Sequence, residues 1–339
     1  MVHRAMHPTK NTWLYGPNQE RLVSEVWGNL MDRRATLLGL SAFAATNVLA
    51  YPSFVQPLSA RLIAAGEAAP GTLCVAIRDL STGQEVTLNG DVACPMHSVL
   101  KIFIGAYAAR ELAQGRWQED QMVLLNHTTA ANGHGRIDQK AARAGTLLVS
   151  VADMLEAMLI DSDNICADGL MRLAGGPAAI HAGLNLPAGI NMSQSLRDQL
   201  KPFGISKTMT TYNAFMADPR DQATPCAFIM TLARLAGGRL GDPMGDRRVL
   251  DLMRQAWRGR ERIPAGLGRD WLTFGRTGTG QIVGGHTTGV HNVVIARHKV
   301  TGRKVLIVAF LKDARGGLGG QEAALARVGR AVRETWPSG

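Results

Sequence analysis

Strand-like and helix-like segments in this chain are sorted by position. Residues 73–78 and 85–88 are short apolar runs about Ser81-Thr82-Gly83, and read as a hairpin. Residues 271–276, 290–296 and 304–310 read as three more strands near the other end. Between them lie several blocks with helical spacing, including 147–159, 167–173, a helix starting at Thr224-Pro225, and 247–258. Helical patterns at 54–69 and 321–335 bracket the whole. The chain therefore has to build one antiparallel sheet from both of its ends, packed with helices. An all-helical subdomain over about 98–250 stands beside it, giving an α+β fold.

With 339 residues, 46% of them hydrophobic, the chain has ample material for a core. Its formal charge is +10, yet no run of five basic residues occurs and aromatics make up 5%. That pattern argues against nucleic acid as a partner and suits a small anionic substrate. Cys74, Cys94, Cys166 and Cys226 lack metal-like spacing and read as small buried residues; three disulfide connectivities stay open. The histidines are scattered, so no metal and no cofactor are expected, and a monomer is the expected state.

Residues 1–30 carry no core pattern and read as untranslated or disordered, with Met31 the true start. Arg33-Arg34 precede about sixteen small and apolar residues ending at Val48-Leu49-Ala50. Residues 31–50 thus read as a twin-arginine-type signal peptide, too short and Ala/Gly-rich for a stable membrane span. The mature chain is expected to run over 51–339 and to be periplasmic or secreted.

Met96-His97-Ser98-Val99-Leu100-Lys101 opens an apolar run that reads as a buried helix. Ser98 and Lys101, three apart, share one helix face. A serine in the positive potential of a helix N-terminus, beside a lysine that burial can deprotonate, makes an activated nucleophile. Two further motifs follow in order: Ser162-Asp163-Asn164, and Arg276-Thr277-Gly278-Thr279-Gly280 at a strand end. Gly175-Gly176-Pro177, Asp218-Pro219-Arg220-Asp221 and Thr224-Pro225 add weaker matches.

The set resembles the class A serine β-lactamases and the related penicillin-binding proteins, whose motifs are S-x-x-K, S-D-N and K-T-G. The resemblance spans about 54–337. It implies a β-lactamase/transpeptidase-like fold and the following roles. Ser98 forms an acyl-enzyme with a β-lactam or acyl-D-Ala-type substrate. Lys101 takes its proton, and Ser162 passes one to the departing nitrogen. Asn164 holds the substrate's side-chain amide, while Asp163 braces the loop. Backbone N–H groups of Ser98 and Thr279 form the oxyanion hole. Gly278 allows close approach, and Arg276 with Thr277 binds the substrate carboxylate. Arginine stands where the family usually has lysine.

One part of the pattern is broken. The family's Ω-loop carries a glutamate, in E-x-x-L-N, that activates the deacylating water. The matching stretch here is Met209-Thr210-Thr211-Tyr212-Asn213, so Met209 takes the glutamate's place and Asn213 keeps the substrate-side asparagine. No glutamate occurs from Gly175 to Pro225. Lys207 and Asp221 are placed to form the ion pair that closes the loop, and Asp218 or Lys101 to substitute as base. The expected function is an exported class A β-lactamase-like serine hydrolase with slow deacylation. Two alternatives remain: a penicillin-binding D-Ala-D-Ala peptidase or esterase, and a sensor or binding protein acylated by β-lactams. His97, beside the nucleophile, reads as packing or a substrate contact.

Overall fold

The computed structural model describes residues 55–127 and 135–336. The segment read as an export signal, and Gly133-His134, lie outside the described residues. Helix α1 (Val55–Glu67) leads into a hairpin of β1 (Thr72–Asp79) and β2 (Glu85–Leu88). A short β3 (Cys94–Pro95) and a 3-10 turn (His97–Leu100) feed directly into α2 (Lys101–Ala113). The insert follows: β4 (Met122–Asn126), α3 (Arg136–Ala144), β5 (Thr146–Ser150), α4 (Val151–Ile160) and α5 (Asn164–Leu173). It continues through α6 (Pro177–Gly183), α7 (Leu196–Ile205), α8 (Met209–Ala217), β6 (Gln222–Ala223) and α9 (Pro225–Ala236). Then come α10 (Pro243–Gln255) and α11 (Ile263–Leu267). The chain returns with β7 (Trp271–Thr279), β8 (Ile282–Val283), β9 (His286–Thr287), β10 (Val290–His298), β11 (Lys304–Lys312) and β12 (Ala314–Arg315). It closes with α12 (Leu318–Thr335).

Both ends of the chain meet in one antiparallel sheet, ordered β2-β1-β11-β10-β7. The central register sets Cys74 opposite Phe310 and Val293 opposite Val308. On one face Val75, Ile77, Ile307, Ala309 and Leu311 pack with Leu58 and Leu62 of α1 and Leu325, Val328 and Val332 of α12. On the other, Phe310 meets Phe228 of α9, which in turn meets Phe103 of α2. Burial on both faces explains why β10 and β11 read as continuous apolar runs with little alternation. No helix among the described residues is long and apolar enough to cross a membrane. The four cysteines are unbridged, and the Cys74 and Cys94 thiols donate to the carbonyl oxygens of Thr72 and Val92.

The insert is not all-helical as expected, since β4, β5 and β6 lie within it, and two of its stretches fold differently from their sequence pattern. Residues 147–159 are not one helix. Residues 146–150 form β5, paired with β4 from Met122–Ser150 to Asn126–Thr146, and α4 begins only at Val151. Ser150 sets that boundary, its Oγ capping the helix by accepting from Asp153 N at 3.1 Å. The weakly periodic stretch 186–225 also holds two helices, α7 and α8, capped by Ser195 and Thr208. Thr224 caps α9 with Pro225 in its first turn, as the sequence implies.

Asp163 ties the insert together. It caps α5, Oδ1 accepting from Cys166 N at 3.2 Å. Its Oδ2 accepts from Ile137 N at 2.9 Å and Asp138 N at 3.0 Å at the start of α3. Gly135 has no room for a side chain, since a Cβ would lie 2.1 Å from that same Oδ2. Asp163 is thus the brace expected of it. Asp163→Ala strands three buried N–H groups and should destabilise the fold by about 3 kcal/mol, measured by urea unfolding. A change below about 1 kcal/mol would show that the clamp is not needed.

Candidate active site

The 3-10 turn carries Ser98 against the open edge of the sheet. Its backbone runs beside β7, the terminal strand, so close that a Cβ on Gly278 would lie 3.0 Å from Met96 O. At Gly280 a Cβ would sit 2.0 Å from Thr288 Oγ1 and 2.5 Å from His97 Nε2. Only glycine permits this approach. Four of the six described non-glycine residues with left-handed backbone are Asn or Asp, which tolerate it; the other two, His97 and Ser162, flank the nucleophile.

Lys101 is fully buried, and its Nζ lies 3.2 Å from Ser98 Oγ. It donates to Ser162 O at 2.7 Å and Asn164 Oδ1 at 2.6 Å, with Ser162 Oγ at 3.1 Å. Burial holds the amine well below the ordinary lysine range, and the Arg276 charge pushes the same way; Asp163 and Asp168 oppose them. The bonding fits the neutral amine. The carbonyl oxygens of Ser162 and Asn164 can only accept, so they consume its two N–H groups. The remaining lone pair is then available to the Ser98 hydroxyl.

Arg276 is 1% exposed, beneath the site. It donates from Nη2 to Ser162 Oγ at 2.6 Å, from Nε to Ser98 O at 3.3 Å and from Nη1 to Leu159 O at 3.2 Å. Burial, with the Arg258 charge nearby, lowers it to about 9, which leaves it charged at neutral pH. The expected role in binding a substrate carboxylate is not what this geometry offers. The guanidinium is longer than a lysine ammonium and reaches past the strand edge to protein oxygens. One consequence falls on Ser162: with Arg276 donating to its oxygen, its own hydrogen is directed elsewhere. Ser162 is not the cap of α5, a place taken by Asp163.

A cavity of about 720 Å³ opens over these groups, its wall including Ser98, Ser162, Asn164, Thr277, Thr279 and Gly280. Gly280 N donates to Gly289 O at 2.8 Å, and antiparallel bonding alternates, so Thr279 N–H points off the free edge of β7. Arg262, not foreseen from the sequence, underlies this edge. It donates to Gly278 O at 3.1 Å, His291 O at 2.7 Å and Thr279 Oγ1 at 2.8 Å, and pairs with Glu322 at 3.2 Å. Nothing local distinguishes it from Arg258 or Arg260; packing against β7 selects it. Lys207, Trp257 and Arg258 also line the cavity, with the Arg258 guanidinium 4.4 Å from the Trp257 ring centre.

The Ω-loop expectations change most. Met209 begins α8, is 39% exposed and lies against Gly284 in the β8–β9 turn, away from the cavity wall. Asn213 is exposed on α8 and does not line the cavity. The wall on this side comes from α7, through Leu196, Gln199 and Leu200. Leu196 N fixes that helix by donating to Asp168 Oδ1 at 2.8 Å. The Lys207–Asp221 ion pair is absent among the described residues. Asp221 instead accepts from Ser193 N at 2.8 Å and Gln194 N at 3.1 Å, and burial raises it to about 6. Asp218 chelates Arg220, which holds its carboxyl below the ordinary range, and it does not line the cavity. His97 serves packing and the cavity wall together. Its ring stacks 5.8 Å from Phe215 and 5.4 Å from His291, and burial lowers it to about 4.

No group of three or more potential metal ligands occurs among the described residues. Residues 57–336 match the Beta-lactamase enzyme family. The chain is 27% identical over 271 residues to Beta-lactamase L2 of Stenotrophomonas maltophilia, covering 74% of this chain and 82% of that one. It is 27% identical to a β-lactamase of Streptomyces albus G, covering 84% and 87%. A solved ancestral class A β-lactamase superposes with a TM-score of 0.68 at 26% identity, over 82% of this chain and all of that one. The motif order, the Ser98–Lys101–Ser162 contacts and these likenesses agree: the chain belongs to the class A serine β-lactamase family.

Proposed function

We propose that this protein is an exported serine hydrolase that opens β-lactams through an acyl-enzyme at Ser98 and releases the acyl group slowly. The observation that carries acylation is the Lys101 bonding pattern. Its lone pair accepts the Ser98 proton as Oγ attacks the strained carbonyl. The proton then passes to Ser162 Oγ, 3.1 Å away, and on to the departing nitrogen. The Arg276 bond to Ser162 Oγ steadies negative charge there during transfer. The N–H groups of Ser98 and Thr279 receive the oxyanion.

Slow release is supported by the α7 wall, where Leu196, Gln199 and Leu200 offer no carboxylate to a water. The acids on the wall are Glu261 and Glu322, and Glu322 is paired with Arg262. Lys101, its Nζ 3.2 Å from Ser98 Oγ, is the base at the acyl bond. Losing a general base slows a step by about 10²–10⁴-fold. Export rests on the Arg33-Arg34 pair and the apolar segment that follows.

Intact-mass measurement of the full chain with benzylpenicillin, followed over time, tests this. A single adduct on Ser98, absent in Ser98→Ala and persisting far longer than a turnover, is expected. Steady product formation without accumulation would overturn slow release; no adduct and no product would overturn the reading and favour an esterase. The acylation rate should also rise with pH as Lys101 loses its proton. Since its amine is held down, the plateau should arrive well below pH 10.5. A profile still climbing there would exclude neutral Lys101 as the base.

A further inference from the structure

One part of the cavity wall carries apolar surface that the reaction described above does not use. Trp257 and Leu318 both line the cavity, and they are 51% and 40% exposed. A single exposed leucine is ordinary, but an indole left open inside a cavity beside a second apolar side chain marks a binding surface. Both residues are held in place. Gly259, two residues after Trp257, packs on Thr277 so closely that a Cβ there would lie 2.2 Å from Thr277 Cγ2. Arg262 ends the same loop, donates to Thr279 Oγ1 at 2.8 Å and pairs with Glu322 at 3.2 Å. Leu318 lies four residues before Glu322, on the same face of α12. The Arg258 guanidinium lies 4.4 Å from the Trp257 ring centre and fixes the plane of the indole. Ser162 tells the two halves of a substrate apart. It serves the departing nitrogen, and Arg276 ties its Oγ to β7 one residue before Thr277. The leaving half therefore lies toward Thr277, on which the Trp257 loop is packed.

We propose that Trp257 and Leu318 form a binding surface for a flat apolar group on the leaving half of the substrate. The preferred substrates are then β-lactams with an aromatic substituent beside the ring carboxylate, a place that a cephalosporin offers at its carbon 3. The assignment to the leaving half rests on the acyl-enzyme reading above. Contact with such a group removes apolar area from water and adds ring stacking on the indole. A D-alanine leaving group has no ring to place there, and neither does a penicillin, which carries only methyl groups at that end.

The test uses two cephalosporins with the same thienylacetamido side chain, nitrocefin with a dinitrostyryl group at carbon 3 and cephalothin with acetoxymethyl. Acylation of Ser98 is followed by intact mass in the full-length chain and in its Trp257→Ala and Trp257→Phe variants. Trp257→Ala should slow acylation by nitrocefin about tenfold and by cephalothin less than about twofold. Trp257→Phe, which keeps a ring, should recover most of that loss. Leu318→Ala should move the ratio the same way by a smaller factor. Equal loss with both compounds, or no loss with either, would overturn the assignment. A lowered melting temperature with the ratio unchanged would mark Trp257 as structural and also overturn it. Ser98→Ala separates this surface from the acyl-enzyme reading. It cannot form the adduct, yet it should bind nitrocefin more tightly than cephalothin and lose that preference when Trp257→Ala is added. Equal binding of the two by Ser98→Ala would overturn the surface. Failure of both to label the unaltered protein, with the binding preference intact, would bring down the acyl-enzyme reading alone.

Discussion

Everything at this site depends on an amine held in a place where water cannot reach it. Lys101 is fully buried at the start of α2, beside a guanidinium and, among the described residues, without a carboxylate within salt-bridge distance. Burying an ammonium there is costly, which holds the amine well below the ordinary lysine range. The two carbonyl oxygens of Ser162 and Asn164 then fix which way its lone pair faces. The Asp163 clamp is therefore part of the chemistry as well as the fold. It holds the loop that supplies both acceptors, next to the left-handed backbone at Ser162.

Arg276 shows how one substitution redistributes roles. A lysine ends in a compact cation on a flexible stem, whereas the arginine fork spreads its donors over three separate oxygens of the protein. It thereby links the sheet edge to the nucleophile turn and to the end of α4. Arg262 supports the same edge from the opposite side of β7, bonding two carbonyls and the Thr279 hydroxyl. The strand that faces substrate is thus held by two buried arginines, one of them paired with Glu322.

The loop beyond α6 keeps its anchors while changing its face. Asp168 receives Leu196 N and Asp221 receives two backbone N–H groups, so the segment is pinned at both ends. What it presents to the cavity is two leucines, an amide and Lys207. Such a wall can shape and hold an acyl group, but it brings no carboxylate to a water. The contrast between the Ser98–Lys101 contacts and this wall is what the proposal of slow release rests on.

Much of this was legible in the sequence. Apolar runs at both chain ends, with helical spacing between, point to an antiparallel sheet and a mainly helical insert, because an apolar face has to be buried. The serine, lysine and glycine motifs could be read because their chemistry is local: spacing on one turn, or the absence of a side chain. Residue numbers could not reveal direction. Arg276 looked like a substrate contact, Met209 and Asn213 like loop positions in the site, and Lys207 like a partner for Asp221. Each depends on where a long side chain or an irregular loop ends in space, and that is set by contacts with segments tens to hundreds of residues away. The placements of Arg262 and Gln199 were decided by tertiary packing alone, since a buried arginine or glutamine carries the same letter as an exposed one.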